Sequence, residues 1–135
     1  MSTELYIQGY SASGSDGLEI KDVLDLFRVT HQPDGFGFYL LEYGPTNSCE
    51  LSIQEESGKA VAVTISRPCK HEQFWTDVFQ LLTRGPYLAF MPGSRSPVLV
   101  NLDVANHMPE GMEDALGSPK QVSSVVEMAS YVVAE

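Results

Sequence analysis

The 135-residue chain is poor in long apolar runs, in basic residues and in cysteine. Its uncharged apolar stretches are short, and Phe36 to Leu41 and Ala60 to Ile65 span six residues each. A helix needs roughly 20 to cross a bilayer, so a membrane-spanning helix is excluded. Met1-Ser2-Thr3-Glu4 has neither the positive n-region nor the apolar h-region of a secretory signal, and the chain is expected in the cytoplasm. Two cysteines, Cys49 and Cys69, are too few for a disulfide framework. In a reducing compartment both are expected as small buried thiols. Only eight Lys and Arg stand against 18 Asp and Glu, a net charge of −10 and a pI near 4.6. That balance disfavours nucleic acid and membrane surfaces as partners and leaves a basic protein partner, or none, as the expectation.

What the chain does have is enough apolar material, 43% hydrophobic and 10% aromatic, for one packed core. Nothing repeats and no low-complexity linker divides it, so residues 1–135 are expected as one domain. Leu5 to Tyr10 alternates like a strand and stops at the small-residue loop Ser11 to Gly17. From Leu18 the period changes: Ile20, Val23, Leu24 and Phe27 fall at helical spacing, and the helix should end before Gln32-Pro33-Asp34-Gly35. Phe36 to Tyr43, Glu50 to Glu55 and Lys59 to Ser66 read as an antiparallel meander. In its second hairpin Leu51, Ile53, Val61, Val63 and Ile65 are the expected buried set, and Glu50, Ser52, Gln54, Ala62, Thr64 and Ser66 the wet one.

A second helix is expected from about Lys70 to Thr83, with Phe74, Val78, Leu81 and Leu82 inward and Gly85-Pro86 as its stop. Tyr87 to Met91 and Pro97 to Leu102 read as a hairpin, placed at a sheet edge by the prolines at its strand boundaries. Ser118-Pro119-Lys120-Gln121 carries a helix-start signature. Val122, Val125, Val126, Ala129 and Val133 would face inward from that helix, although Tyr131-Val132-Val133 leaves a terminal strand open. The expected fold class is α+β: a mainly antiparallel sheet with a central three-strand meander, helices packed on one face, and a C-terminal helix.

Chemistry-bearing constellations are sparse. His31, His71 and His107 lack the neighbours that would make a general base or a metal ligand of them. Cys69 and His71, even with Cys49, fall short of the ligand count of a zinc site, and the simpler reading is a solvated His71 at a helix N-terminus. No G-x-S-x-G elbow and no Walker-type lysine is present. Glu55-Glu56 and Glu113-Asp114 are adjacent in sequence, so their carboxylates point apart. No catalytic residue, cofactor or metal is predicted, and the chain is not expected to be an enzyme.

The acids are distributed unevenly. Asp103, Glu110, Glu113, Asp114, Glu127 and Glu135 against Lys120 leave −5 of the net −10 in the stretch from Asp103 onward. A second group, Glu42, Glu50, Glu55 and Glu56, belongs to the meander. Tyr39 and Tyr43 share a strand with Glu42 but project to its other face. Acids that steer a cationic partner toward aromatic anchors make a common interface; ordinary solubilising charge and core tyrosines are the plain alternative. The expected partner-binding residues are Glu42, Glu50, Gln54, Glu55, Glu56, Asp103, Glu110, Glu113 and Asp114.

The order strand, helix, meander, helix, hairpin, C-terminal helix resembles the small acidic immunity proteins of bacterial polymorphic toxins. The stretches that carry this are GFYLLEYGPTNSCELSIQEESGKAVAVTIS, FWTDVFQLL and MPEGMEDALGSPKQVSSVVEMASYVV. The resemblance implies a cytoplasmic antidote that binds one cognate toxin domain with a basic cleft and occludes its active site. Two other classes stay open: a small-ligand-binding protein or enzyme with a pocket between sheet and helices, and a structural or adaptor subunit that self-associates through the Tyr87 to Leu102 hairpin.

Overall fold

The computed structural model describes residues 4–10, 17–29, 32–45, 47–69, 71–92, 96–108, 111 and 117–132. Its strands are β1 (Glu4–Gly9), β2 (Tyr39–Glu42), β3 (Ser48–Glu56), β4 (Lys59–Ser66), β5 (Tyr87–Phe90), β6 (Val98–Leu99) and β7 (Lys120–Gln121). The α-helices are α1 (Ile20–Leu26), α2 (Glu72–Arg84) and α3 (Val125–Val132), and a 3-10 helix covers Leu102–His107. The strands form one sheet in the order β2-β3-β4-β1-β5-β6-β7, antiparallel throughout except for β6 against β7. The meander β2-β3-β4 is therefore one flank of an α+β fold, and β1 inserts between β4 and β5. Among the described residues no helix is long and apolar enough to cross a membrane.

Register explains the two faces. Tyr39, Leu51, Ile65 and Leu5 lie opposite one another across four strands, as do Ile53, Val63, Ile7, Ala89 and Val98 across five. These two rows meet Val23, Phe27, Phe74, Val78, Leu81, Leu82, Met128 and Val132 of the helices in one cluster. The opposite face carries Leu40, Glu50, Ser66 and Glu4 in one row and Ser52, Thr64, Tyr6 and Phe90 in the next. Among the described residues its β5-β6 end is covered, where Val104 of the 3-10 helix packs on Leu88 and Leu99. Full burial of an aliphatic side chain contributes about 1.5–3 kcal/mol, so a one-residue slip that exchanged these faces would be heavily penalised.

Several sequence expectations need correction. Val61 is not one of the buried set: the ladder shifts between Gln54 and Glu55, so that Gln54 faces Ala62 and Glu55 faces Ala60. The extra residue on β4 is Val61, and Ala60, wholly buried, takes the core position. The β5-β6 hairpin forms but is not an edge, because β1 flanks one side of it and β7 the other. Self-association through that hairpin loses its basis.

Ser118-Pro119-Lys120-Gln121 does not open a helix. Lys120 and Gln121 instead pair in parallel with Val98 and Leu99. The C-terminal segment is helical, and its start lies later: Ser124 Oγ accepts from the Glu127 amide at 3.1 Å while Glu127 Oε1 accepts from the Ser123 amide at 2.8 Å. Ser124 is thus the N-cap, and Glu127 reaches back to the amide of the residue before it. Met128 and Val132, four residues apart, point inward, and Val126, 81% exposed, points out. Val133 and the loop residues Ser11 to Asp16 lie outside the described residues.

A buried tyrosine fastens the centre. Tyr87 Oη donates to the Ala60 carbonyl at 2.6 Å and accepts from the Leu18 amide at 2.9 Å, joining β4 and β5 to the approach to α1. Its ring needs Gly85, where an added Cβ would lie 2.2 Å from Tyr87 Cε2.

Candidate functional site

At the β2 edge the chain presents an aromatic on a stiff turn. Asp34 Oδ1 accepts from the amides of Phe36 at 2.8 Å and Phe38 at 3.0 Å, the Asp34 carbonyl accepts from Gly37 at 3.1 Å, and the Asp34 amide donates to the Phe38 carbonyl at 2.9 Å. An Asp that holds its own turn in this way leaves the side chain between its anchors no inward path. Gly37 at φ 84 closes the turn where a Cβ would be strained. Phe36 is consequently 88% exposed, and Leu40, two residues into the edge strand, is 41% exposed. Between α1 and β2 a cleft of about 310 Å³ opens beside this edge, lined by Lys21, Leu24, Asp25, Val29, Pro33 and Tyr39 among others.

Acids border the same edge. Glu42 lies two residues beyond Leu40, and Glu50 lies directly opposite Leu40 on β3. Arg67 reaches Glu50 at 3.9 Å with 75% of its own side chain exposed, a solvated contact of little strength. Gln54 continues on the open face opposite Ala62. After the register shift Glu55 falls opposite Ala60, on the helix side, and Glu56 opposite Lys59 at the hairpin tip. Asp103 is distant from this group across the sheet, on the exposed side of the 3-10 helix, where Oδ2 lies 3.4 Å from His107 Nε2. Glu110, Glu113 and Asp114 lie outside the described residues. Of the nine expected contacts the structure thus brings Glu42, Glu50 and Gln54 to one surface with Leu40. Tyr43, 9% exposed, belongs to the core and is no anchor.

Sequence reasoning missed the buried carboxylate Asp77, 2% exposed on the inner side of α2. Arg28 Nη1 and Nη2 donate to it at 3.3 and 2.8 Å, Tyr43 Oη at 2.7 Å and Gln73 Nε2 at 2.9 Å. The Arg28 guanidinium also lies 5.7 Å from the centre of the Tyr43 ring. Burial, followed by the hydrogen bond to Asp77, pushes the Tyr43 phenol well above its ordinary range, so it stays a donor. The hydrogen bond to Asp77 likewise raises Arg28. Four donors occupy both carboxylate oxygens, which leaves no lone pair directed at a substrate. This is a clasp between α1, β2 and α2. The signal in the sequence was an acid at helical spacing between Phe74, Val78 and Leu81, on the face otherwise read as apolar.

The two described histidines take structural places. His71 Nδ1 accepts from the Gln73 amide at 3.1 Å and so caps α2, a more specific role than the solvated one expected. His31 lies outside the described residues. No histidine lines the described α1-β2 cleft. Cys69 Sγ donates to Cys49 Sγ at 2.8 Å, and both thiols are buried. Burial raises the pKa of each. Among the described residues no three His, Cys, Asp or Glu side chains gather closely enough to hold a metal ion.

The fold and this edge define an α+β domain with an acidic, aromatic-bearing flank. No family model, curated protein or solved structure matches the chain.

Proposed function

We propose that this chain is a cytoplasmic immunity protein that binds a basic toxin domain and occludes its active site with the β2 flank of its sheet. The observation that carries this reading is Phe36, 88% exposed on a turn stiffened by four hydrogen bonds, just before β2, the end strand of the described sheet. An exposed aromatic on a rigid turn has little conformational entropy left to lose when a partner covers it, which makes it an efficient anchor. Leu40 extends the apolar contact, and the α1-β2 cleft offers the partner a socket. Glu42, Glu50 and Gln54 then supply a polar rim, with the net charge of −10 steering a cationic partner toward it.

The test is a rescue assay. A basic protein that co-purifies stoichiometrically at high salt and is encoded beside this gene is expressed alone and together with the chain. The expected result is growth arrest alone, growth with the wild-type chain, and renewed arrest with F36D or with the double reversal E42K/E50K, each folded as wild type. Rescue that survives both variants overturns the assignment of the surface; a partner without toxicity overturns the immunity reading.

A further inference from the structure

We propose that Cys49 and Cys69 are a dithiol pair that closes to an intramolecular disulfide on reaction with a low-molecular-weight disulfide of the glutathione type. The two sulfurs lie 2.8 Å apart. The chain is shaped to bring them together: Glu50 pairs with Ser66 at the end of β4, Arg67 then turns at φ 51, a left-handed conformation that costs a non-glycine residue energy, and Pro68 returns the chain so that Cys69 lies on Cys49. Cys49 is 2% exposed and Cys69 4%. Neither sulfur has the further ligands that a metal site requires among the described residues.

The reaction balances as thiol–disulfide exchange. One cysteine, as thiolate, attacks the small disulfide, forming a mixed disulfide and expelling one small thiol. The second cysteine attacks the mixed disulfide, forming the Cys49–Cys69 bond and expelling the second small thiol. The two cysteine protons end on the two released thiols; the pair loses two electrons and the small disulfide gains them. Burial keeps both cysteines protonated, so exchange in the folded chain waits on opening. The closed bond ties β3 to the loop that leads into α2, around the whole β3-β4 hairpin.

The test unfolds the full chain in urea and refolds it in mixed oxidised and reduced glutathione, so that slow access cannot mask the equilibrium. Expected are a monomer lighter by two hydrogens, a linked peptide containing Cys49 and Cys69, and a melting temperature raised on the order of 10 °C, reversed by dithiothreitol. C69S under the same conditions should give a glutathione adduct on Cys49 and no such rise. Recovery of two free thiols, adducts on both cysteines of the wild-type chain, a disulfide-linked dimer, or a cross-linked form that melts no higher than the reduced one each overturns the proposal.

Discussion

The Tyr43 hydroxyl donates a 2.7 Å hydrogen bond to Asp77 Oδ2, the oxygen that also holds Arg28 Nη2 at 2.8 Å. One carboxylate therefore joins the segment after α1, the segment after β2 and the middle of α2. Because Asp77 is 3% exposed at its side chain and Arg28 54%, the two partners should respond unequally to mutation. Asp77→Ala strands the Tyr43 hydroxyl inside and should cost about 2–4 kcal/mol by urea unfolding. Arg28→Met leaves Asp77 two donors and should cost about 1 kcal/mol, discounted because solvent screens the pair. Equal, small losses for both would show that the clasp does not hold the helices.

Tyr87 makes a comparable junction without charge. Tyr87→Phe preserves the ring beside Gly85 but leaves the part-buried Leu18 amide and the buried Ala60 carbonyl without their shared partner. A loss of about 1–3 kcal/mol is expected. Gly85→Ala should be worse, since its Cβ would enter the Tyr87 ring. Denaturant midpoints for both variants check this, and a Gly85→Ala protein as stable as wild type would contradict the packing described.

How legible the fold was depended on the range of the interactions that decide each element. The β3-β4 hairpin and α2 could be read directly, because alternation in Leu51 to Ile53 and helical spacing in Phe74 to Leu82 are local patterns that burial reinforces. The place of β1 could not, since it depends on pairing Tyr6 with both Thr64 and Phe90, far away in sequence. The helix start failed for a different reason: Ser118 and Ser124 both carry the local signature, and the parallel pairing of Lys120 with Val98 selects the later one. At the site the acids of β2 and β3 were visible as charge. Phe36 heads an apolar run that fits a strand, but the turn held by Asp34 continues to Phe38 and β2 begins only at Tyr39. Asp77 has no local mark, because most acids in helices are solvated and it is the distant Arg28 and Tyr43 that make this one a buried acceptor.

The two capping signatures make a direct comparison. Ser124→Ala removes the acceptor of the Glu127 amide and should cost about 1 kcal/mol and increase amide exchange in the first turn of α3. Ser118→Ala should change neither. The reverse pattern would restore the earlier helix start.

The raised tyrosines and cysteines give the chain an alkaline limit. Tyr43, Tyr87, Cys49 and Cys69 all titrate above their ordinary values of 10.0 for the phenol and 9.0 for the thiol when folded. Above those values the unfolded chain has released protons that the folded chain retains. Stability is therefore full below pH 9 and falls as pH rises past it, by up to about 1.4 kcal/mol per pH unit for each retained proton. Urea midpoints should be flat from pH 7 to the ordinary thiol value of 9.0 and decline beyond it. The disulfide form should begin its decline later, near the phenol value of 10.0, because it has no thiol to ionise.

Kinetics separate the two parts that the β2 flank plays in binding. Long-range attraction acts before contact, so E42K/E50K should lower the association rate toward the partner and flatten its salt dependence, with dissociation little changed. Phe36 acts after contact: its 88% exposed ring must be covered to contribute, and F36A should leave association near wild type while accelerating dissociation by a factor of about 30, the equivalent of about 2 kcal/mol for a central aromatic. D34A, which removes the carboxylate that accepts from the Phe36 and Phe38 amides, should lie between them. It retains the ring but frees the turn, so binding now has to order it, and the loss should be seen in dissociation and partly in association. Surface plasmon resonance at two salt concentrations measures both rates for all three variants. Equal dissociation rates for wild type, F36A and D34A would place the anchor on another face of the domain.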